Sequence, residues 1–115
     1  MTMYQRILVA VEHSSADRTI LEHVERLATL TGAELLLVHV ADGWAARHFN
    51  QLKLRESEEM KDDRAYLASV AADLSARGLR VSAELAAGDP AREILRVARA
   101  WEADLIAMST HGHRF

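Results

Sequence analysis

Short, nearly unbroken apolar runs constrain the fold of this chain more than any other feature. "RILVAV" at 6–11, "ELLLVHV" at 34–40 and "LIAM" at 105–108 are rich in aliphatic side chains. A run of this length without alternation is typical of a strand that is covered by helices on both faces. A fourth run, "LRVSAELA" at 79–86, alternates apolar and polar residues, which predicts an edge strand.

The segment after the first run has the period of an amphipathic helix. Its apolar residues recur every three or four positions: Ile20, Leu21, Val24, Leu27 and Ala28. Its polar residues fall on the opposite, solvent-facing side: Asp17, Arg18, Glu22, Glu25 and Arg26. Ser14 or Ser15 is predicted to cap the start of this helix, and Gly32 is predicted to end it.

Two more helices are predicted. The second ends before Gly78 and carries an apolar stripe of Met60, Leu67, Val70, Ala71 and Leu74. The third begins with Asp89 as N-cap and Pro90 at the first helical position, and its stripe consists of Ile94, Val97, Ala98 and Trp101. Residues 43–56 show no readable pattern, and the charged run at 55–64 is interpreted as a solvated helix face with local ion pairs.

Strands and helices alternate as βαβαβαβ, which predicts a single α/β domain over residues 1–115 with an open parallel sheet and right-handed crossovers. The apolar character of 105–108 predicts burial on both faces and a neighbour on each side. No helix follows that strand in the sequence. We therefore expect the chain to be a fragment of the domain that lacks its C-terminal helix and strand.

Composition argues against several classes of partner. The formal net charge is −3 with both signs interspersed, so no basic stripe is available for nucleic acid or for a membrane surface. There is no cysteine, and no apolar segment is long enough for a signal peptide or a membrane span. The sequence predicts a cytoplasmic protein.

Four segments together resemble the universal stress protein family: "ILVAVEHS", "ELLLVHV", "GDPAREIL" and "ADLIAMSTHGHR". They occur in the family's order and spacing along the whole chain. The resemblance implies a Rossmann-like or flavodoxin-like sheet with strand order 3-2-1-4, with the fifth strand of the family missing. It also implies a cytoplasmic regulatory module of the stress response that forms homodimers.

In such a strand order, ligands bind where the chain reverses direction, between strands 1 and 4. The loops at 11–15 and 109–115 meet there. Nucleotide-binding members have a glycine motif after strand 4, in which glycine backbone approaches a phosphate and a later glycine and serine cap a helix directed at the phosphates. Ser109 stands at the first glycine of that motif and Gly112 at the second, and the remaining positions lie beyond Phe115.

The loop after strand 1 also differs from the family pattern. Glu12 and His13 precede Ser14, where members often have aspartate and glycine, and Val40 matches a position that lines the adenine pocket. The resemblance therefore implies binding of ATP with Mg²⁺. The implied nucleotide-binding residues are Val11, Glu12, His13, Ser14, Val40, Ser109, Gly112 and His113.

Other chemistries have weaker support. A zinc site of His13, His111 and His113 is disfavoured because the spacing of a strong metal motif is missing. His39 is predicted to be a hydrogen-bonded core residue, and His23 and His48 to lie on the surface. No nucleophile or acid–base pair stands out, so no enzyme is predicted, although weak ATP hydrolysis stays open.

Two functional hypotheses follow. The first is a regulatory domain that binds ATP at the crevice between strands 1 and 4. The second is an interaction module of the same fold that does not bind nucleotide and works through dimerisation or as an appendage of a larger protein. An unpaired apolar edge at strand 4 predicts self-association in either case.

Overall fold

The computed structural model describes residues 4–41 and 58–109. Strands and helices alternate through these residues as the sequence predicts. In chain order the elements are β1 (Arg6–Ala10), α1 (Asp17–Thr31), β2 (Glu34–Ala41), α2 (Glu58–Ala76), β3 (Val81–Ala87), α3 (Pro90–Trp101) and β4 (Leu105–Met108).

The strands form one parallel sheet in the order β3-β2-β1-β4. Ile7 of β1 lies opposite Leu35 of β2 on one side and Leu105 of β4 on the other. The predicted open α/β sheet and its strand order are confirmed. The direction of winding reverses between β1 and β4, so a crevice is expected beyond the carboxyl ends of these two strands.

Side chains of β1 and β2 enter two separate cores, one on each face of the sheet. Ile7, Val9, Leu35 and Leu37 pack with residues of α1 and α2, whereas Leu8, Ala10, Leu36 and Val38 pack with residues of α3. All eight residues are buried, at 7% exposure or less. Burial on both faces explains why these two strands are apolar at nearly every position.

The predicted helix ends are confirmed at two positions. Gly32 has φ +76° and donates its N–H to the Ala28 carbonyl at 2.8 Å, in the left-handed conformation that ends many helices. Asp89 caps α3 by accepting a hydrogen bond from the Arg92 amide at 2.9 Å, and Pro90 is the first residue of the helix.

The predicted serine cap of α1 is wrong. Ala16 occupies the N-cap position and no side chain caps the helix there. The Ser14 hydroxyl instead accepts a hydrogen bond from the Ala16 amide at 3.3 Å, and the carbonyls of Ser14 and Ser15 accept from the amides of Asp17 and Arg18. The chain thus enters α1 through a tight turn, with Asp17 as its first helical residue.

The two outer strands of the described sheet differ from the inner ones. β3 pairs only with β2 in the described sheet and is partly exposed, as its alternating sequence predicts. β4 pairs with β1, but its residues are only half-buried and Met108 is 52% exposed. Among the described residues β4 therefore lies at an edge of the sheet, which is the exposed apolar edge that the sequence predicts for this chain. Among the described helices, none is both long and apolar enough to cross a membrane.

Candidate functional site

A cavity of about 350 Å³ opens at the carboxyl edge of the sheet, at the ends of β1, β2 and β4 and the start of α3. This volume lies within the range of roughly 300–1,000 Å³ found for small-molecule sites. Its apolar walls include Ala10, Val38, Val40 and Ile94. The cavity therefore lies at the predicted crevice, on the face of the sheet that α3 covers.

The predicted site residues separate into two groups. Val11, Glu12, Val40 and Ser109 line the cavity. His13 and Ser14 are not among the lining residues, and Gly112 and His113 lie outside the described residues. Successive side chains at a strand end point to opposite faces of the sheet. Glu12 accordingly faces the cavity, whereas the His13 ring contacts α2 on the other face.

Glu12 and Ser109 bring side-chain oxygens to an otherwise largely apolar cavity. The Ser109 hydroxyl is buried and has no hydrogen-bond partner among residues 4–41 and 58–109. A buried hydroxyl of this kind is normally satisfied by water or by a ligand. An apolar slot with a carboxylate and a buried hydroxyl among its lining groups suits a flat ring joined to a group that carries hydroxyls.

Asp17 organises the loop that connects β1 to α1 beside the cavity. Its carboxylate is 1% exposed and accepts hydrogen bonds from the amides of Glu12 at 2.8 Å, His13 at 2.9 Å and Ser14 at 3.4 Å. The prediction that Asp17 lies on the solvent-facing side of α1 is wrong. A side chain at the start of a helix points back toward the preceding loop, where backbone N–H groups need acceptors.

Tyr66 of α2 completes the environment of Asp17. Its hydroxyl donates a hydrogen bond to the Asp17 carboxylate at 2.6 Å. Burial raises the pKa of the Tyr66 phenol well above its ordinary value, and the hydrogen bond to Asp17 and the negative charge of Asp17 act in the same direction. Tyr66 is therefore a neutral donor at physiological pH, and it connects α2 to the loop through Asp17.

A second buried carboxylate, Asp63 of α2, contacts two histidines. Asp63 is 6% exposed and lies 2.7 Å from His13 Nδ1 and 3.3 Å from His39 Nε2. The interpretation of 55–64 as a solvated face is therefore wrong at Asp63. The His39 Nδ1 atom lies 2.9 Å from the Val11 carbonyl oxygen, which confirms His39 as a hydrogen-bonded residue.

The backbone of His13 adopts a conformation that favours glycine. Its φ is +60°, which costs a residue other than glycine about 1–3 kcal/mol. Its ring stacks on Tyr66 at 4.2 Å between centroids, its amide is bonded to Asp17 and its Nδ1 to Asp63. These contacts offset the cost of the left-handed backbone and explain how a histidine occupies a position whose conformation favours glycine.

Metal-ligating side chains do not converge within the described part of the chain. Residues 4–41 and 58–109 contain no group of three or more histidine, aspartate or glutamate side chains arranged to hold a metal ion. His13, one of the three histidines of the zinc hypothesis, is bonded to Asp63, and the other two lie outside the described ranges.

Comparison with known proteins supports this fold. The sequence matches the Universal stress protein family over residues 3–115. The universal stress protein MJ0577 of Methanocaldococcus jannaschii is 27% identical over 130 residues, covering 96% of this chain and 78% of that protein. A solved universal stress protein from Burkholderia pseudomallei is 27% identical with a TM-score of 0.76, covering 96% of this chain and 85% of that one.

A third relative was solved with a ligand. The universal stress protein from Archaeoglobus fulgidus in complex with dAMP is 21% identical with a TM-score of 0.68, covering 90% of this chain and 79% of that one. At this identity the likeness shows the fold. Universal stress proteins are generally regulatory proteins rather than enzymes. Because the family match extends over nearly the whole sequence, the chain belongs to the universal stress protein family.

Proposed function

We propose that the chain is a regulatory domain of the stress response that binds an adenine nucleotide in the cavity between β1 and β4. The observation that carries the proposal is the cavity itself, with apolar walls and with Glu12 and Ser109 as polar groups. The relative from Archaeoglobus fulgidus, which was solved with dAMP, has the same fold and supports this class of ligand.

The lining residues suggest how a nucleotide would lie. The adenine ring would pack against Val40 and Ile94, and the Glu12 carboxylate would accept hydrogen bonds from ribose hydroxyls. The phosphates would face the loop after Ser109, where Gly112 and His113 follow in the sequence.

ATP with Mg²⁺ is the form that the sequence resemblance predicts. Mg²⁺ is usually bound through one or two carboxylates together with the phosphates of the nucleotide. Glu12 supplies one carboxylate at the cavity, so it fits that role alongside the phosphates. We therefore expect Mg²⁺ to increase affinity for ATP more than affinity for AMP.

The test is isothermal titration of AMP, ADP and ATP, with and without Mg²⁺, into the wild-type chain and two variants. Glu12→Gln removes the charge at the cavity, and Glu22→Gln makes the same change at an exposed position of α1. A hydrogen bond to a charged group contributes about 1.5 kcal/mol or more, so Glu12→Gln should weaken binding by about tenfold. Equal affinities for the two variants, or no binding by the wild type, would refute the proposal.

The alternative function, an interaction module, is supported by the edge of β4. In the described sheet β4 pairs only with β1, and Met108 is 52% exposed. An open apolar strand edge is a template for pairing with another chain, so self-association through β4 is proposed. Sedimentation velocity should show that Met108→Lys dissociates the self-associated wild-type chain into monomers. Leu30→Lys is the control and should not dissociate it, because Leu30 lies on α1 and is 84% exposed in the wild type. A monomeric wild type would contradict this alternative.

A further inference from the structure

Successive amides of the loop after β1 point at one carboxylate. The N–H groups of Glu12, His13 and Ser14 donate to Asp17 at 2.8, 2.9 and 3.4 Å, and Asp17 is 1% exposed. His13, in the middle of this run, has φ +60°. Successive N–H groups around a left-handed residue form a concavity that binds an anion, and here the anion is a side chain of the protein itself. We call Glu12, His13, Ser14 and Asp17 the filled nest.

The backbone on either side of Glu12 is held in place. Val11, the preceding residue, donates its N–H to a carbonyl of β2 at 2.9 Å, and its own carbonyl oxygen lies 2.9 Å from His39 Nδ1. Tyr66 of α2 donates to Asp17 Oδ2 at 2.6 Å and so fixes the orientation of the carboxylate. The direction in which the Glu12 side chain leaves the loop is therefore determined by contacts outside the cavity.

Glu12 lines the cavity where the proposed ligand places its ribose. We propose that Asp17 is a positioning residue for that ligand: it holds the backbone of the loop so that the Glu12 carboxylate is directed at the ribose hydroxyls. The site then prefers an adenine nucleotide with an intact ribose. This inference rests on the proposed function. Asp17 is not among the residues that line the cavity, so it acts on the ligand through Glu12.

Loss of this positioning should affect the ribose more than the base. A hydrogen bond to a charged group contributes about tenfold or more in affinity. Such a bond weakens steeply when its angle falls below about 120°. Contacts of the base with the apolar walls, Val40 and Ile94, do not depend on direction in this way. A displaced Glu12 should therefore lower the preference for ribose while the base is still bound.

Asp17→Asn disturbs the filled nest with almost no change in side-chain shape. Asparagine has one oxygen where aspartate has two, and its NH₂ group can only donate. The Glu12 amide donates to Oδ1 of Asp17, and the His13 amide donates to Oδ2. Whichever way the asparagine amide is turned, its NH₂ group therefore faces one of these two N–H groups. We expect the loop to move away from that contact and to displace Glu12.

Leu74→Ala is the control for a general loss of stability. Leu74 is 4% exposed in the core on the same face of the sheet. It lies about 12 Å beyond Tyr66 along α2. Removal of its side chain leaves a cavity in the core and destabilises the chain, but it alters no contact of the filled nest.

The experiment is isothermal titration without Mg²⁺ of AMP and of dideoxy-AMP, which lacks both ribose hydroxyls. The wild type and Leu74→Ala should each prefer AMP by about tenfold or more. In Asp17→Asn the preference should fall to about threefold, while the affinity for dideoxy-AMP stays close to that of the wild type. A preference for AMP in Asp17→Asn equal to that of the wild type would overturn the inference.

A double-variant cycle tests whether Asp17 acts through Glu12. Glu12→Gln should itself lower the preference for AMP over dideoxy-AMP. Addition of Asp17→Asn to Glu12→Gln should lower it no further, because the carboxylate that Asp17 positions is already gone. Additive losses in the double variant would overturn the inference, since Asp17 would then affect the ribose by another route.

Tyr66→Phe is the second variant, for the case that Asp17→Asn does not fold. It keeps the ring beside His13 and removes the hydroxyl that donates to Asp17 Oδ2. With the carboxylate less firmly oriented, the preference for AMP should fall in the same direction as in Asp17→Asn, but by less. An unchanged preference in Tyr66→Phe would then overturn the inference.

Failure of the proposed function would be seen separately, in the wild type alone. A wild type that does not bind AMP refutes the proposed function, and the inference with it. A wild type that binds AMP and dideoxy-AMP equally well leaves the nucleotide site standing but overturns the inference, because Glu12 then makes no ribose contact that Asp17 could position.

Discussion

Among the aspartates and glutamates described above, Asp17 is the one whose replacement by alanine should lower the free energy of unfolding most. Asp17 is 1% exposed and accepts from the Glu12 amide, the His13 amide and the Tyr66 hydroxyl at 2.6–2.9 Å. Alanine would leave these three donors without an acceptor inside the protein. A lost hydrogen bond to a charged group costs about 1.5 kcal/mol or more, so we expect Asp17→Ala to lower the free energy of unfolding by about 3–5 kcal/mol.

The control is Asp89→Ala. Asp89 also lies at the start of a helix, but it is exposed and accepts one amide hydrogen bond, from Arg92. Loss of such an N-cap typically costs about 1 kcal/mol. Both substitutions remove an aspartate side chain at a helix start, Asp17 at the first helical residue of α1 and Asp89 at the N-cap of α3. Their difference therefore compares the buried network around Asp17 with a single exposed helix cap.

The assay is urea denaturation followed by circular dichroism at pH 7. The free energy of unfolding falls by roughly 1–3 kcal/mol per molar urea. The urea concentration at the unfolding midpoint should therefore be lower for Asp17→Ala than for the wild type by more than about 1 M. Should Asp17→Ala not fold, Asp17→Asn keeps one acceptor oxygen and should give an intermediate loss. A cost for Asp17→Ala no larger than that of Asp89→Ala would refute the reasoning that Asp17 organises the loop.

Three more predictions concern single positions. The pKa of the Tyr66 phenol is raised in the folded state. Its hydrogen bond to Asp17 is therefore fully present below the ordinary tyrosine pKa of about 10, and it is lost only as pH rises through the higher pKa of the folded state. Absorbance at 295 nm should therefore rise equally in wild type and Tyr66→Phe up to about pH 11, and an additional wild-type phenolate near pH 10 would contradict this. Leu37→Ala should cost about 2–5 kcal/mol in urea denaturation, whereas Leu30→Ala, 84% exposed in the wild type, should cost almost nothing. Gly32→Ala should lower the free energy of unfolding by about 1 kcal/mol. The cost comes from the φ of +76° alone, since no atom lies within 4 Å of an added Cβ, and an unchanged stability would show that the loop relaxes.

The sheet and the helix ends could be predicted because their signals are local. Continuous apolar runs identify the inner strands, and alternation identifies β3 as an edge strand. Gly32 and Asp89 determine helix ends through the backbone conformation and side-chain acceptors of single residues. β4 was less predictable, because its apolar sequence does not reveal how completely its two faces are covered.

The polar network around the site could not be predicted, because its partners are far apart in the sequence. Asp63 lies 50 positions from His13, and Tyr66 lies 49 positions from Asp17. Aspartate on a helix is usually solvated, so local periodicity placed both carboxylates at the surface. Asp17 did offer one signal, since an acidic residue in the first turn of a helix is favourably placed near free backbone amides.

The central claim is that the cavity between β1 and β4 binds an adenine nucleotide, and an NMR titration tests it most directly. AMP would be added to the ¹⁵N-labelled chain while backbone amide shifts are followed. The account predicts saturable shifts at Val11, Glu12, Val40 and Ser109, which line the cavity, and none at Val70, which lies in the groove between α1 and α2. The absence of shifts at millimolar AMP, or shifts confined to the groove that contains Val70, would contradict it.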